Sequence, residues 1–430
     1  MLQKISHLTR QRLVQNALAL YGVTIANALL PLVLIPYLAR VLQPDAWGTV
    51  IFAQTASIWL ALLVEYGFAY SATREVARHA DQPEKLRQIV AEVMGAKLLL
   101  CAVAGVGALV LWLAFPAFRQ NPLLPAAALW IGVAQGLCPL WYFQGIERMR
   151  LIAALAVGTR LLFVVGVFLW VRAPEHAGQV LVFQALSLTL SLALQLLLMY
   201  RHTGARWCSF ARARAALRAA WPFFFFAAVL TAYSNANSFL LGLVATSAVV
   251  SFYGGPERLM RGMLGLLGPV NQVLYPRLAY LVKHDYPAAR KTVRYGAVTV
   301  AVMSASMGLA LTLAAPWFVS FLFGSGYEEA VPVLRVLGLA CPFSAVSGVL
   351  GVRWMFPLGL ERTYNRIVLG GAVVDVVLIA LLVPSFQAIG AAWAVLATEM
   401  LIAATVFVLL WRWKLNPFQR ASLRPVEVPA

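Results

Sequence analysis

The sequence predicts an all-α integral membrane protein, and three features carry that reading. The first is composition: of 430 residues 62% are hydrophobic and 12% charged, and the mean hydropathy of +0.80 lies outside the soluble globular range. The second is length patterning. Apolar runs of about 20 residues recur between short polar breaks, the length a helix needs to cross a hydrocarbon core about 30 Å thick, whereas a β-barrel alternates polarity over about ten-residue strands. The third is the side on which the positive charges fall.

Taken in order, the runs predict twelve spans at roughly 14–37, 47–70, 91–114, 124–144, 151–171, 179–200, 221–245, 249–280, 294–318, 332–356, 366–384 and 388–411. The opening "MLQKISHLTRQRLVQN" has the basic start of a signal peptide, but its apolar run outlasts a signal core and has no small-residue cleavage site, so it reads as a retained first span. With that end inside, the cytoplasmic segments collect Lys4, Arg10 and Arg12; Arg74, Arg78, Lys85 and Arg87; Arg148 and Arg150; and Arg201 to Arg218. They continue with Arg277, Lys283, Arg290, Lys291 and Arg294; Arg362 and Arg366; and Arg412, Lys414, Arg420 and Arg424. The opposite loops hold little beyond Arg40, Arg119 and Arg172. This asymmetry is the positive-inside rule and places both termini in the cytoplasm. Most of the net charge of +18 is therefore topology, and with no aromatic-interleaved basic patch no nucleic-acid partner is expected.

The longest basic break, "RHTGARWCSFARARAALRAA" at 201–220, divides the chain into an N-terminal six-helix lobe (1–200), a cytoplasmic linker (201–220), a second six-helix lobe (221–411) and a cytoplasmic tail (412–430). Two six-span halves with both ends inside share one orientation, which relates them by a pseudo-two-fold axis along the membrane normal. Setting "DAWGTVIFAQ" against "AVVSFYGGPE" aligns Gln54 with Glu257 and puts "SFYGGPERLMRG" (251–262) inside span eight rather than in the loop before it. The four cysteines show no CxxC and no histidine nearby, so neither disulfides nor a metal are expected. There is no P-loop, HExxH or GxSxG, and His7, His79, His176, His202 and His284 all map to ends or loops; no enzyme and no cofactor is expected.

Several stretches in order resemble one family. "LVQNALALYGVTIANALLPLVLIPYLARVLQPDAWGTVIFAQT", "EYGFAYSATREVARH", "FYGGPERLMRGMLGLLGPVNQVLYPRLAYL", "FLFGSGYEEAVPVLRVLG", "LGLERTYNRIVLGGAVVDVVL" and "IGAAWAVLATE" are similar, from about residue 12 to 411, to the polysaccharide transporter family. These are the Wzx-type flippases of the multidrug/oligosaccharidyl-lipid/polysaccharide exporter superfamily. Gly254-Gly255-Pro256 departs from the family, which more often has a small residue such as Ala there. The resemblance implies two six-helix lobes forming a V around a central cavity. It implies a flippase that carries undecaprenyl-diphosphate-linked oligosaccharide repeat units across the bacterial inner membrane for O-antigen, capsule or exopolysaccharide. The implied mechanism is alternating access coupled to an ion gradient, and the implied partners are the bilayer, a polymerase and a chain-length regulator. The alternatives are a cation-coupled multidrug exporter of the sister branch and an assembly protein that moves nothing.

An anionic diphosphate crossing a low-dielectric layer needs a wet, cationic path, so charges inside spans are the candidate site. Arg160, Arg258, Arg261 and Arg353 are expected to bind substrate, because a guanidinium can donate two parallel hydrogen bonds to phosphate; for Arg353, snorkelling stands beside that reading. Arg335 is read as interfacial and Lys97 as a topology charge. Glu65, Glu257, Asp375 and Glu399 are the ion-coupling candidates, each with an inter-helix hydrogen bond as the plain alternative. Glu257 and Arg261 are spaced i, i+4 with the acid first. Gly254, Gly255 and Pro256 are expected to form a hinge, since Pro leaves a carbonyl without its donor and Gly lets backbone bend.

Overall fold

The computed structural model describes residues 2–115, 118–119 and 121–419, with side chains described from Val33 onward except at 150, 269 and 272. The side chains of Lys4, Arg10, Arg12 and Arg150, and residues Arg420 and Arg424, whose charges enter the expected topology, lie outside that set. Every regular element among the described residues is helical. The helices are α1 (Leu2–Glu65), α2 (Phe68–Arg78), α3 (Pro83–Ala114), α4 (Leu123–Leu137), α5 (Leu140–Gly145), α6 (Met149–Trp170) and α7 (Ala177–Thr203). They continue with α8 (Phe210–Val244), α9 (Ser247–Gly265), α10 (Gly268–His284), α11 (Tyr286–Leu313), α12 (Ala315–Leu322), α13 (Ala330–Gly348) and α14 (Glu361–Arg412). Helix α13 runs on into a π-helical turn, Val349–Met355.

Nine stretches among the described residues are long and apolar enough to cross a membrane. Two are about twice a membrane's width and carry a break where the sequence demands one. In α1 the break is Gln43 (φ 62°, ψ 169°), the residue before Pro44, where the proline ring excludes the helical region. In α14 it is Gln387 (φ 50°, ψ −130°), three residues after Pro384. Past that break the chain passes so close that a Cβ on Gly390 would sit 2.6 Å from the Leu382 carbonyl oxygen. The separations expected between 37 and 47 and between 384 and 388 thus contain these two breaks. Proline also ends α4: Cys138, before Pro139, turns extended at ψ 126°.

The chain forms two compact units, Met1–Thr231 and Ala232–Ala430, with the boundary inside α8. In the first, Phe68, Val76, Leu86, Ile89, Trp141, Tyr142 and Met199 build a core from α2, α3, α5 and α7. Gly67 makes the turn into α2. Its φ of 75° suits only glycine, and a Cβ there would meet Phe224 N at 2.5 Å. Outward, Leu98, Val103, Val106, Leu109, Val110 and Leu113 of α3 are all at least half exposed at helical spacing, an apolar face that suits lipid rather than water.

In the second unit, Leu278, Leu281, Val293, Trp354, Met355, Val406 and Leu410 form the corresponding core. Trp354 donates its indole N–H to the Leu415 carbonyl at 2.9 Å, holding the segment after α14. Helices α11 and α13 cross at glycine. A Cβ on Gly308 would lie 2.3 Å from the Gly338 carbonyl oxygen, closer than any real contact. Gly308→Val is therefore expected to force the pair apart and destabilise the protein by about 1–3 kcal/mol, read as a lowered Tm in detergent. An unchanged Tm would mean the crossing is loose.

Candidate ion and substrate site

The second unit contains a cavity of about 180 Å³ bordered by α8, α9, α13 and α14. Its chemistry begins on α9, where Tyr253, Glu257 and Arg261 follow each other at i, i+4, i+8 and share one face. Glu257 is 7% exposed. Arg261 Nη2 donates to its Oε1 at 2.6 Å, Ser238 Oγ of α8 donates to its Oε2 at 2.6 Å, and Tyr253 OH donates to Oε1 at 3.3 Å. Asn237 Nδ2 donates in turn to the Tyr253 hydroxyl at 3.2 Å. The Arg261 side chain is 41% exposed, so this ion pair is a half-wet one.

From the other side α14 brings two further carboxyl groups, Asp375 and Glu399, 7% and 8% exposed. Thr398 Oγ1 faces Asp375 Oδ1 at 3.4 Å, at the long end of hydrogen bonding, and Tyr233 OH donates to Glu399 Oε1 at 2.6 Å. Glu399 Oε2 and Asn237 Oδ1 are buried with no hydrogen-bond partner among the described residues. The lining therefore holds three carboxyl groups against one guanidinium and adds hydroxyl and amide oxygens. Such a set can stabilise a small cation or hold protons, because desolvated carboxylates left without counter-charge are costly.

Size separates the possible roles. A cavity of about 180 Å³ is below the roughly 300–1,000 Å³ of sites for drug-sized ligands, so an oligosaccharide does not fit inside it, whereas a partly hydrated ion does.

Four of the candidate residues, Glu257, Arg261, Asp375 and Glu399, thus line one cavity. Arg258, next to the pair on α9, is half-buried but does not border the cavity. Arg353 lies in the π-helical turn, where Nη1 donates to the Gly348 carbonyl at 2.8 Å and Nε is buried without a partner among the described residues. The turn is kept close by glycine: a Cβ on Gly351 would sit 1.9 Å from the Tyr364 ring. Arg160 is half-buried on α6 in the first unit. Glu65, also there, spends its carboxylate on backbone, accepting from Gly67 N at 2.9 Å and from Ala69 N at the start of α2. Gly254, Gly255 and Pro256 are the residues expected to form a hinge. They lie buried within the uninterrupted helix Ser247–Gly265, with no break of the kind seen at Gln43. Pro256 has no N–H to donate into that helix, and the Phe323 ring packs against Gly255.

The sequence reading missed two sets of residues. Tyr233, Ser234, Asn237 and Ser238 are a polar strip at i, i+1, i+4, i+5 in an otherwise apolar helix, a signal visible in "TAYSNANSF". Lys97, read as a topology charge, is instead fully buried and donates from Nζ to the Gly136 carbonyl at 2.6 Å, in the last turn of α4. That carbonyl lies where the Pro139 break leaves the helix end without intrahelical donors. Lys97→Ala is expected to leave a cavity and an unpaired carbonyl, lowering stability by about 1–3 kcal/mol while topology is retained. Altered topology with normal thermal stability would restore the simpler reading.

Regular elements that are all helical among the described residues, nine stretches of membrane length, and charged groups gathered around a cavity in one unit define a multi-pass membrane protein of the transporter class. A family model described as polysaccharide biosynthesis protein matches residues 13–282, and the chain belongs to that family, the one its sequence resembles; it is a transporter and not an enzyme. A protein of Escherichia coli (strain K12) named O-antigen transporter is 25% identical over 403 residues, covering 93% of this chain and 97% of that one. A Shigella dysenteriae protein of the same name is 28% identical over 391 residues, covering 90% and 97%. Among solved structures, the lipid II flippase MurJ in an inward closed conformation superposes with a TM-score of 0.69 at 13% identity, covering 93% of this chain and 87% of that one. The eukaryotic MATE transporter AtDTX14 gives 0.51 at 15% identity, covering 91% and 92%. At these identities the two structures establish a shared fold.

Proposed function

We propose that this protein flips undecaprenyl-diphosphate-linked oligosaccharide repeat units across the bacterial inner membrane, feeding O-antigen, capsule or exopolysaccharide synthesis, by alternating access coupled to an ion gradient. The single observation that carries the coupling part is the cavity uniting Glu257, Asp375, Glu399 and Arg261, whose excess of carboxyl groups suits a small cation or protons and whose volume is too small for the glycan. Family membership and full-length similarity to the two O-antigen transporters support the substrate class. Arg160, Arg258 and Arg353 are the arginines left for the diphosphate. The breaks at Gln43 and Gln387, and α9 taken with α10 as one crossing, support the twelve-crossing reading; an even number leaves both termini on one side, and the basic bias of the loops supports the cytoplasmic side. A polymerase and a chain-length regulator are the partners such a product calls for.

One observation favours a second reading: carboxyl groups beside Tyr233 and Tyr253 also suit a cationic drug, as a cation-coupled multidrug exporter would need. The cavity's volume weighs against it. Proteoliposomes decide between the two. Lipid-linked oligosaccharide is expected to move between leaflets while fluorescent cationic drugs stay put, and drug uptake without lipid movement would reverse the assignment.

A further inference from the structure

A second cavity in the Ala232–Ala430 unit, of about 400 Å³, lies at the N-terminal end of α11 and has no part in the reading above. Three of its lining residues are cations, Arg290, Lys291 and Arg294, and none is acidic. Arg290 is 8% exposed and its Nη2 donates to the carbonyls of Asn416 at 3.0 Å and Gln419 at 2.5 Å, which lashes the segment after α14 against α11 and forms one wall. Lys291 and Arg294 stay exposed, and neither makes an ion pair among the described residues. Asp285 is occupied as the cap of α11, accepting from Ala288 N at 2.9 Å. The first turn of α11 holds no acid beyond that cap, so the pocket's positive charge comes from its three side chains. Topology alone asks only that these charges stay on one side of the membrane; it does not ask for a cavity.

The same helix face continues into apolar sequence. From Lys291, the positions four, seven and eleven residues on are Tyr295, Val298 and Val302, which are 62%, 47% and 64% exposed. A cationic pocket thus opens onto an exposed apolar stripe along a membrane-length helix, with a tyrosine at the junction as is common at headgroup depth. That sequence of chemistries, phosphate-binding and then acyl-binding, is a phospholipid's own.

We propose that this cavity binds the phosphate headgroup of an anionic phospholipid whose acyl chains lie along Tyr295, Val298 and Val302. Arg290 builds the wall, while Lys291 and Arg294 face the phosphate, with about 1 kcal/mol per cation at such a surface. A free phosphate would use only the pocket, and a polyprenyl diphosphate shares the headgroup chemistry, so the test separates all three.

The full-length protein in mild detergent is titrated with phosphatidylglycerol or phosphatidylcholine and bound lipid is read by native mass spectrometry, which tests lipid binding independently of flipping. Preferential phosphatidylglycerol binding is expected, weakened about thirty-fold in Lys291→Ala/Arg294→Ala, from two such cations at tenfold per 1.4 kcal/mol. Both side chains are exposed, so the variant keeps the wild-type Tm; Val298→Ser/Val302→Ser, which leaves the charges in place, is expected to weaken binding less. Equal binding of the two lipids, unchanged binding in the double cation variant, or displacement by inorganic phosphate overturns the proposal. Displacement by a polyprenyl diphosphate at equal concentration also overturns it, because the pocket would then be a loading point for substrate.

Discussion

Glu257→Ala is expected to lower transport by roughly ten- to a hundredfold while the protein still inserts and purifies. The substitution removes the acceptor of three donors at once, Arg261, Ser238 and Tyr253, which are drawn from two helices. Each orphaned polar group costs about 1–3 kcal/mol when buried, and 1.4 kcal/mol corresponds to a factor of ten. The Arg261 share is discounted because that side chain is 41% exposed and keeps access to water. Glu257→Gln retains an acceptor oxygen and loses the charge, so it is expected to fall between wild type and Ala. Arg258→Ala, beside the pair, is expected to impair transport with insertion intact. The check is transport rate against the amount of monodisperse protein. Wild-type rates in all three variants would remove this helix from the mechanism.

Asp375→Asn is expected to uncouple transport from the ion gradient. The residue is 7% exposed, nearly isosteric with its replacement, and faces Thr398 rather than an arginine, so the change removes charge with little loss of packing. If the cavity exchanges a cation or proton with the two sides, losing one of its three carboxyl groups flattens the response to an imposed gradient, from several-fold stimulation toward none, while downhill exchange persists. Glu399→Gln is expected to act in the same direction but more weakly, because Tyr233 OH still finds an acceptor there. A variant whose gradient response matches wild type would make Asp375 an inter-helix tie and nothing more.

Much of the fold was legible because a bilayer imposes one-dimensional rules. Hydropathy and length marked the helical, membrane-length character of the chain, and prolines that the sequence reading left unused account for breaks in the structure: Pro44 for Gln43, and Pro139 for the extended Cys138. The i, i+4 spacing of Glu257 and Arg261 correctly anticipated their contact, because a single helix fixes it. What the sequence could not reveal are contacts made between helices. Lys97 reads as a charge at a span's edge, and only the carbonyl of Gly136 on another helix explains why it is fully buried. Likewise the backbone N–H groups that the turn at Tyr66 and Gly67 brings onto Glu65 are invisible in its sequence position. At Pro256 a local rule expects a hinge, and the segment is helical on both sides of the proline, so the hinge stays a proposal about the moving protein.

Tyr233, Asn237 and Ser238 illustrate a signal that was present and unused. Polar side chains at helical spacing inside an apolar run must find partners: Tyr233 and Ser238 find the carboxylates of Glu399 on α14 and Glu257 on α9, and Asn237 finds the Tyr253 hydroxyl.

The proposed movement of a lipid-linked oligosaccharide between leaflets is directly measurable. The most direct measurement follows a polyprenyl-diphosphate-linked oligosaccharide, loaded in one leaflet of proteoliposomes, with a membrane-impermeant glycan-modifying enzyme on the outside. Protein-dependent transfer is expected, accelerating with an imposed ion gradient and falling at least tenfold in Glu257→Ala. Transfer at the rate of protein-free liposomes, or at the wild-type rate in Glu257→Ala under every gradient, would contradict it.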